Sequence, residues 1–213
     1  LYGGNKLNTT LPDGLKIRLT QTSDYPWDGK IAIMLDEFSE EKDFSFYFRI
    51  PAWCSGAQLK VNGKPVNIPL KSGSYAEINR KWAKGDIIVL NLDMETRLIE
   101  SNPLVEETRN QVAVKRGPLV YCLESVDLES EYSIDAILLP ADIKLIPIKM
   151  EIANSPIVCL EGKAEAISDT SWKNTLYRPI KNEKRTISIR LIPYYAWGNR
   201  GKGEMTVWML VSR

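Results

Sequence analysis

The sequence contains no histidine. That absence removes the usual general base near neutral pH, the Ser-His-Asp arrangement and the commonest zinc ligand. Cysteine is scarce as well: Cys54, Cys122 and Cys159 lie too far apart in the chain to form a CxxC redox pair or a paired metal motif. Cys122 and Cys159 fall inside apolar strand-like runs, where a free cysteine is expected to act as a small buried hydrophobe, and Cys54 lies beside Trp53 in a turn. Neither GxSxG, GxxxxGK[ST] nor GxGxxG occurs, which sets aside nucleophile-elbow hydrolases and the common nucleotide-binding loops.

A charge bias is also missing. The 28 Lys and Arg are interleaved with 27 Asp and Glu for a net +1, so no basic stripe exists to neutralise a phosphate backbone, and nucleic acid is excluded as a partner. Long hydrophobic runs are absent: stretches such as 136–140 and 208–211 fall far short of the roughly 20 residues that cross a bilayer. There is no signal-peptide pattern, but the chain begins with Leu1 and not Met, so we expect a piece of a longer sequence and leave the compartment open.

What is present is a folded globular composition, 44% apolar and 26% charged over 213 residues, enough for one large or two compact domains. No window of about 11 residues or more shows a 3.6-residue apolar repeat, whereas period-two alternation recurs throughout. Residues 15–20 and 30–35 alternate and flank Asp28-Gly29, a type I′ hairpin signal. Phe44, Phe46 and Phe48 fall on one strand face, expected to be the core face. Asn62-Gly63 marks a second hairpin, and strands are expected at 75–80 and 87–92. After the polar stretch 100–103, strands are expected at 111–115, 119–123, 143–146, 157–160, 186–192 and 205–210. The pattern predicts an all-β chain of two antiparallel, jelly-roll-like β-sandwich domains, residues 1–103 and 104–213.

No catalytic, cofactor-binding or metal-ligating residue can be named. Two carboxylates can run glycoside hydrolysis without histidine, but the acid pairs at 36–37, 40–41 and 106–107 lie between strand signals, where solvated turns account for them. Aromatics remain. Tyr25, Trp27, Trp53, Tyr194, Tyr195 and Trp197 all fall in or beside turns, where they can pack at the edge of a domain, cover a domain interface or stack on a glycan. Arg200, in the glycine-rich loop 193–203, adds a rigid fork of donors for a carboxylate or carbonyl across such an interface.

Several stretches resemble one family in order along the chain: Tyr25-Pro26-Trp27-Asp28-Gly29, Arg49-Ile50-Pro51-Ala52-Trp53, Val61-Asn62-Gly63, Trp82-Ala83-Lys84-Gly85-Asp86, residues 112–124, and Pro193-Tyr194-Tyr195-Ala196-Trp197 through Trp208. They are similar to the C-terminal β region of the β-L-arabinofuranosidases of glycoside hydrolase family 127, long catalogued as a domain of unknown function. The resemblance implies a preceding (α/α)6 barrel in the same polypeptide, which holds a zinc-cysteine centre and its glutamates. This chain lacks both the barrel and the family's adjacent cysteines followed by Pro-Pro-Asn. The implied role is a non-catalytic accessory region of an enzyme cleaving L-arabinofuranosyl groups from plant glycans. Its partners would be that barrel and a second copy of the chain, and the alternative is an autonomous carbohydrate-binding module.

Overall fold

The alternation in the sequence becomes strand throughout the computed structural model, which describes residues 2–167, 175–180 and 183–212. The chain divides into two units, Leu1–Glu95 and Thr96–Arg213. The division falls ahead of the expected boundary at 103 because 96–100 is a strand that pairs forward: β9 (Thr96–Glu100) lies antiparallel to β10 (Gln111–Arg116), with Val114 opposite Leu98. The polar stretch at 100–103 is therefore the end of β9 and the loop that follows it within the second unit, and no composition signal marks the true join.

The first unit is a two-layer sandwich. Its larger sheet runs in the order β1 (Asn5–Thr10), β2 (Lys16–Ser23), β3 (Lys30–Phe38), β8 (Ile87–Leu92), β5 (Ala57–Val61), β6 (Lys64–Pro65). The smaller is a ribbon of β4 (Lys42–Arg49) and β7 (Tyr75–Trp82). Ile17, Ile31, Leu35, Ile88 and Leu90 of the large sheet share one core with Phe48, Ala76, Ile78 and Trp82 of the ribbon. The phenylalanine face points inward as its spacing predicts, with Phe48 buried and Phe44 and Phe46 packed at the margin. Trp82 is wholly buried. Its indole Nε1 donates to Phe44 O at 2.7 Å and Phe46 meets its ring edge-on at 5.0 Å, so the one polar atom of a large apolar side chain is satisfied.

Two glycine turns separate cleanly. Asn62 and Gly63 both adopt positive φ, 50° and 78°, as a type I′ hairpin requires. Asn62 also reaches sideways: its Nδ2 donates to Asp86 Oδ1 at 2.7 Å and its Oδ1 accepts from Ile87 N at 2.8 Å, while Asp86 Oδ2 accepts from Ala83 N. The Val-Asn-Gly and Trp-Ala-Lys-Gly-Asp stretches are thus two halves of one clamp. Asp28-Gly29, by contrast, does not form the expected type I′ turn. β2 and β3 are joined by a wider corner, 24–29, in which Trp27 N and Asp28 N both donate to Asp24 O. Gly29 is needed for proximity instead, since a Cβ there would lie 1.9 Å from Leu92 O.

In the second unit the sheet order is β16 (Met205–Thr206), β11 (Leu119–Glu124), β15 (Lys184–Pro193), β14 (Ser155–Ile167), β12 (Ile137–Pro140), β17 (Trp208–Ser212), β10, β9. β13 (Ile146–Ile152) adds to β14. The strand expected at 143–146 starts only at Ile146. β10 changes partner midway: 111–113 pair β17 and 114–116 pair β11, so one strand joins the two ends of the sheet at a corner. Among the described residues all pairs are antiparallel except β12 with β17. The core inside comprises Val114, Tyr121, Leu123, Leu139, Leu160 and Leu191 with their neighbours.

Candidate functional site

In the second unit β15 ends at Pro193, and a single 3-10 turn, Tyr194–Ala196, turns the chain outward. Ala196 is buried while Tyr194, Tyr195 and Trp197 stand 46%, 57% and 45% exposed, a large apolar area to leave against water. Gly198 and Gly201, at φ +78° and +116°, let the loop fold back.

What holds this loop is a buried acid. Glu124 ends β11, a strand otherwise filled with core residues, and is 5% exposed. Its Oε1 accepts the backbone N–H of Gly198 at 2.8 Å and its Oε2 accepts Arg200 Nε at 2.9 Å, with Arg200 Nη2 closing the second arm of the fork. The same guanidinium donates through Nη1 to Asp127 Oδ1 at 2.9 Å. Asp127 is shared in turn with Arg190, 3.6 Å away, which grips Glu161 at 2.7 Å. Five charged groups thus alternate in sign, which is the arrangement that offsets the desolvation of carboxylates under a sheet. The paired acids hold the Arg200 guanidinium well above its ordinary range. Ser125 N donates to Glu204 O and Ser125 Oγ accepts from Glu204 N, both at 3.0 Å, tying down the loop's far end.

The fork of Arg200, expected to reach across a domain boundary, is thus occupied by carboxylates of its own unit. Glu124 and Asp127 carry the arrangement and escaped sequence reading. The available signal was an acid closing an apolar strand, paired with an arginine among loop glycines.

The first unit's aromatics behave differently. Tyr25 lies beside the Trp53 side chain, and burial pushes its phenol above its ordinary range. Tyr2 meets Tyr25 edge-on at 6.1 Å and donates its hydroxyl to Arg49 O at 2.6 Å; burial pushes the Tyr2 phenol up to about 12. Tyr25 and Trp53 belong to the margin of the core. Trp27 is half-buried in the 24–29 corner. The six aromatics singled out in the sequence therefore fall into two groups in separate units, three half-buried and three exposed.

The reactive groups here are quiet. Burial pushes the Cys122 thiol up to about 12 and the Cys159 thiol up to about 11, so both stay protonated and poorly nucleophilic. A cleft of about 560 Å³ opens beside Asp127, Glu161, Arg190, Lys163 and Ser188. Its acids are tied to Arg190, and Lys163 Nζ donates to Ser188 Oγ at 2.6 Å. Among the described residues no three His, Cys, Asp or Glu side chains are grouped to hold a metal ion.

Comparison with known proteins accounts for both units. Residues 1–94 match the model of the middle domain of GH127 beta-L-arabinofuranosidases, and residues 96–210 match the glycoside hydrolase family 127 C-terminal domain. The chain is 32% identical over 200 residues to a non-reducing end beta-L-arabinofuranosidase of Bifidobacterium longum subsp. longum, covering 90% of this chain and 30% of that protein. Among solved structures, one described as a glycoside hydrolase superposes with a TM-score of 0.93 at 55% identity. It covers all of this chain and 35% of that one. A GH127 beta-L-arabinofuranosidase from Geobacillus stearothermophilus T6 superposes over the whole chain with a TM-score of 0.91 at 38% identity, and the match spans 33% of that protein. The chain spans about a third of the length of each of these relatives. With two family models meeting where the two units meet, and the solved relatives matching over the whole chain, the chain belongs to glycoside hydrolase family 127 through its middle and C-terminal domains.

Proposed function

We propose that this chain is a non-catalytic accessory region of a glycoside hydrolase acting on L-arabinofuranosides or related plant glycans, and that it packs against a catalytic barrel in the same polypeptide. The observation that carries this reading is the length relation: relatives named for the activity match this chain over only 30 to 34% of their own length. Local chemistry agrees. The most buried acid cluster, Glu124 with Asp127, is neutralised by Arg200, and two of the three cysteines are held as protonated thiols by burial. Zinc, where the parent enzyme uses it, is bound by residues outside this chain.

The exposed Tyr194, Tyr195 and Trp197 mark the surface that the barrel covers, and another copy of the chain is the other candidate cover. A specific observation favours a second reading as well. Three exposed rings on a loop held by a buried acid also suit a carbohydrate-binding module, whose rings must be rigid before a sugar arrives. The purified chain is expected not to hydrolyse an aryl L-arabinofuranoside. Turnover that survives controls for contaminating enzyme would overturn the accessory reading. Trp197→Ala separates the remaining two: docking predicts a larger stability loss in the full-length enzyme than in this chain, whereas a module predicts equal losses and abolished glycan affinity.

A further inference from the structure

The outer face of the β4–β7 ribbon carries another pair of open rings, in the first unit. Alternation sends the phenylalanines and Trp82 inward, so the residues between them stand on the opposite face. There the register places Ser45 opposite Asn79, Tyr47 opposite Glu77 and Arg49 opposite Tyr75. Glu77 is the hub. Its Oε1 accepts the Ser45 hydroxyl at 2.6 Å and the Tyr47 hydroxyl at 2.9 Å, and Ser45 Oγ accepts Asn79 Nδ2 at 2.7 Å. The Arg49 guanidinium lies 5.5 Å from the centroid of the Tyr75 ring.

Cross-strand pairs of this kind stabilise a ribbon, which accounts for Ser45 and Asn79. They do not account for the rings. Tyr47 and Tyr75 stand 61% and 63% exposed on neighbouring pairs of one face, held by side-chain contacts yet covered by nothing in their own unit. Both are oriented before any ligand arrives, which lowers the ordering cost of binding. Among the described residues Glu77 Oε2 has no partner, so a hydrogen-bond acceptor stands open beside two ring faces. Arg49 and Glu77 bring opposite charges, so the surface favours neither an anion nor a cation. Open tyrosine rings, amides and a half-used carboxylate with no net charge match the chemistry of a neutral sugar, which presents C–H faces and hydroxyls together.

We propose that this face binds a neutral glycan, a sugar ring stacking on Tyr47 or Tyr75 while its hydroxyls bond to Glu77, Asn79 and Arg49. The choice of arabinose-containing probes rests on the accessory reading above; the stacking surface does not, and hydrolysis by the purified chain would leave it intact. The test is affinity electrophoresis of the full chain in gels containing soluble arabinan, arabinoxylan, arabinogalactan, mixed-linkage β-glucan or dextran, with sedimentation of the same samples. Retardation is expected in at least one gel. Tyr47→Ala and Tyr75→Ala should each weaken it about tenfold at an unchanged melting temperature, because both side chains are exposed. Tyr47→Phe, which keeps the ring, should retain most of the affinity, and Glu77→Gln should lower it without unfolding the ribbon. Migration unaffected by every glycan would overturn the proposal. So would retardation that Trp197→Ala abolishes and the tyrosine variants leave intact, or self-association that the double tyrosine variant dissolves in place of any glycan effect.

Discussion

The first unit's 24–29 corner with Trp53 and the second unit's 193–203 loop are alike in the sequence, each being a set of aromatics beside turn residues. Folding gives them opposite fates. Tyr25 meets Tyr2 edge-on and, like Trp53, packs against the core, so these rings continue the interior outward. Tyr194, Tyr195 and Trp197 stay about half exposed on a loop whose backbone and Arg200 are held by the buried Glu124. The difference teaches that a turn aromatic is buried or displayed according to what its turn is anchored to. An apolar anchor draws the ring in, and a buried ion pair fixes the loop while leaving the ring out.

The comparison breaks first at its foundations. Arg200→Ala should remove roughly 3–5 kcal/mol from the second unit, because Glu124 would be left buried without its counter-charge and Asp127 with Arg190 alone at 3.6 Å. Denaturant unfolding measures this. A double variant, Arg200→Met with Glu124→Gln, should cost clearly less than the sum of its single changes. If Arg200→Ala costs under about 1 kcal/mol, the ion cluster does not anchor the loop.

Next in size is Trp53→Ala, expected to cost about 2–3 kcal/mol through lost packing against the core. A neutral outcome would erase the contrast between the two aromatic groups.

A pH scan sharpens the contrast between the units. An unfolded thiol ionises near its ordinary range, whereas Cys122 and Cys159 in the fold hold their protons to about 12 and about 11. At pH values above the ordinary thiol range the unfolded chain therefore binds fewer protons. The stabilisation from keeping these thiols neutral is complete below that range and is lost as pH rises from there toward 11 and 12. The expected slope is at most about 1.4 kcal/mol per pH unit for each thiol. Cys122→Ala should flatten the alkaline limb of a urea-midpoint-against-pH curve, and an unchanged slope would show that the thiol is not desolvated.

The smallest expected effect is Trp197→Ala in this chain, under about 1 kcal/mol, since nearly half of the side chain already meets water. A loss as large as that of Trp53→Ala would mean that the two groups are equivalent after all.

By itself the sequence determined what depends on neighbours a few residues apart. Alternation at Phe44, Phe46 and Phe48 specified a face, Asn62-Gly63 specified a turn in which both residues need positive φ, and the missing helical period specified an all-β chain. The β13–β14 turn was only half legible locally: Asn154, at φ 60°, suits a left-handed turn, but Ala153, at φ 50°, does not announce one. Everything else hung on pairs distant in the chain. Tertiary structure alone decided that 96–100 joins the second unit through β10, that Gly29 is required by the backbone of Leu92, and that Arg200 meets Glu124 from 76 positions away. The physical reason is the same in each case. Local sterics and alternation act through one strand's own backbone, while close approach and charge pairing exist only after the sheets have brought remote strands together.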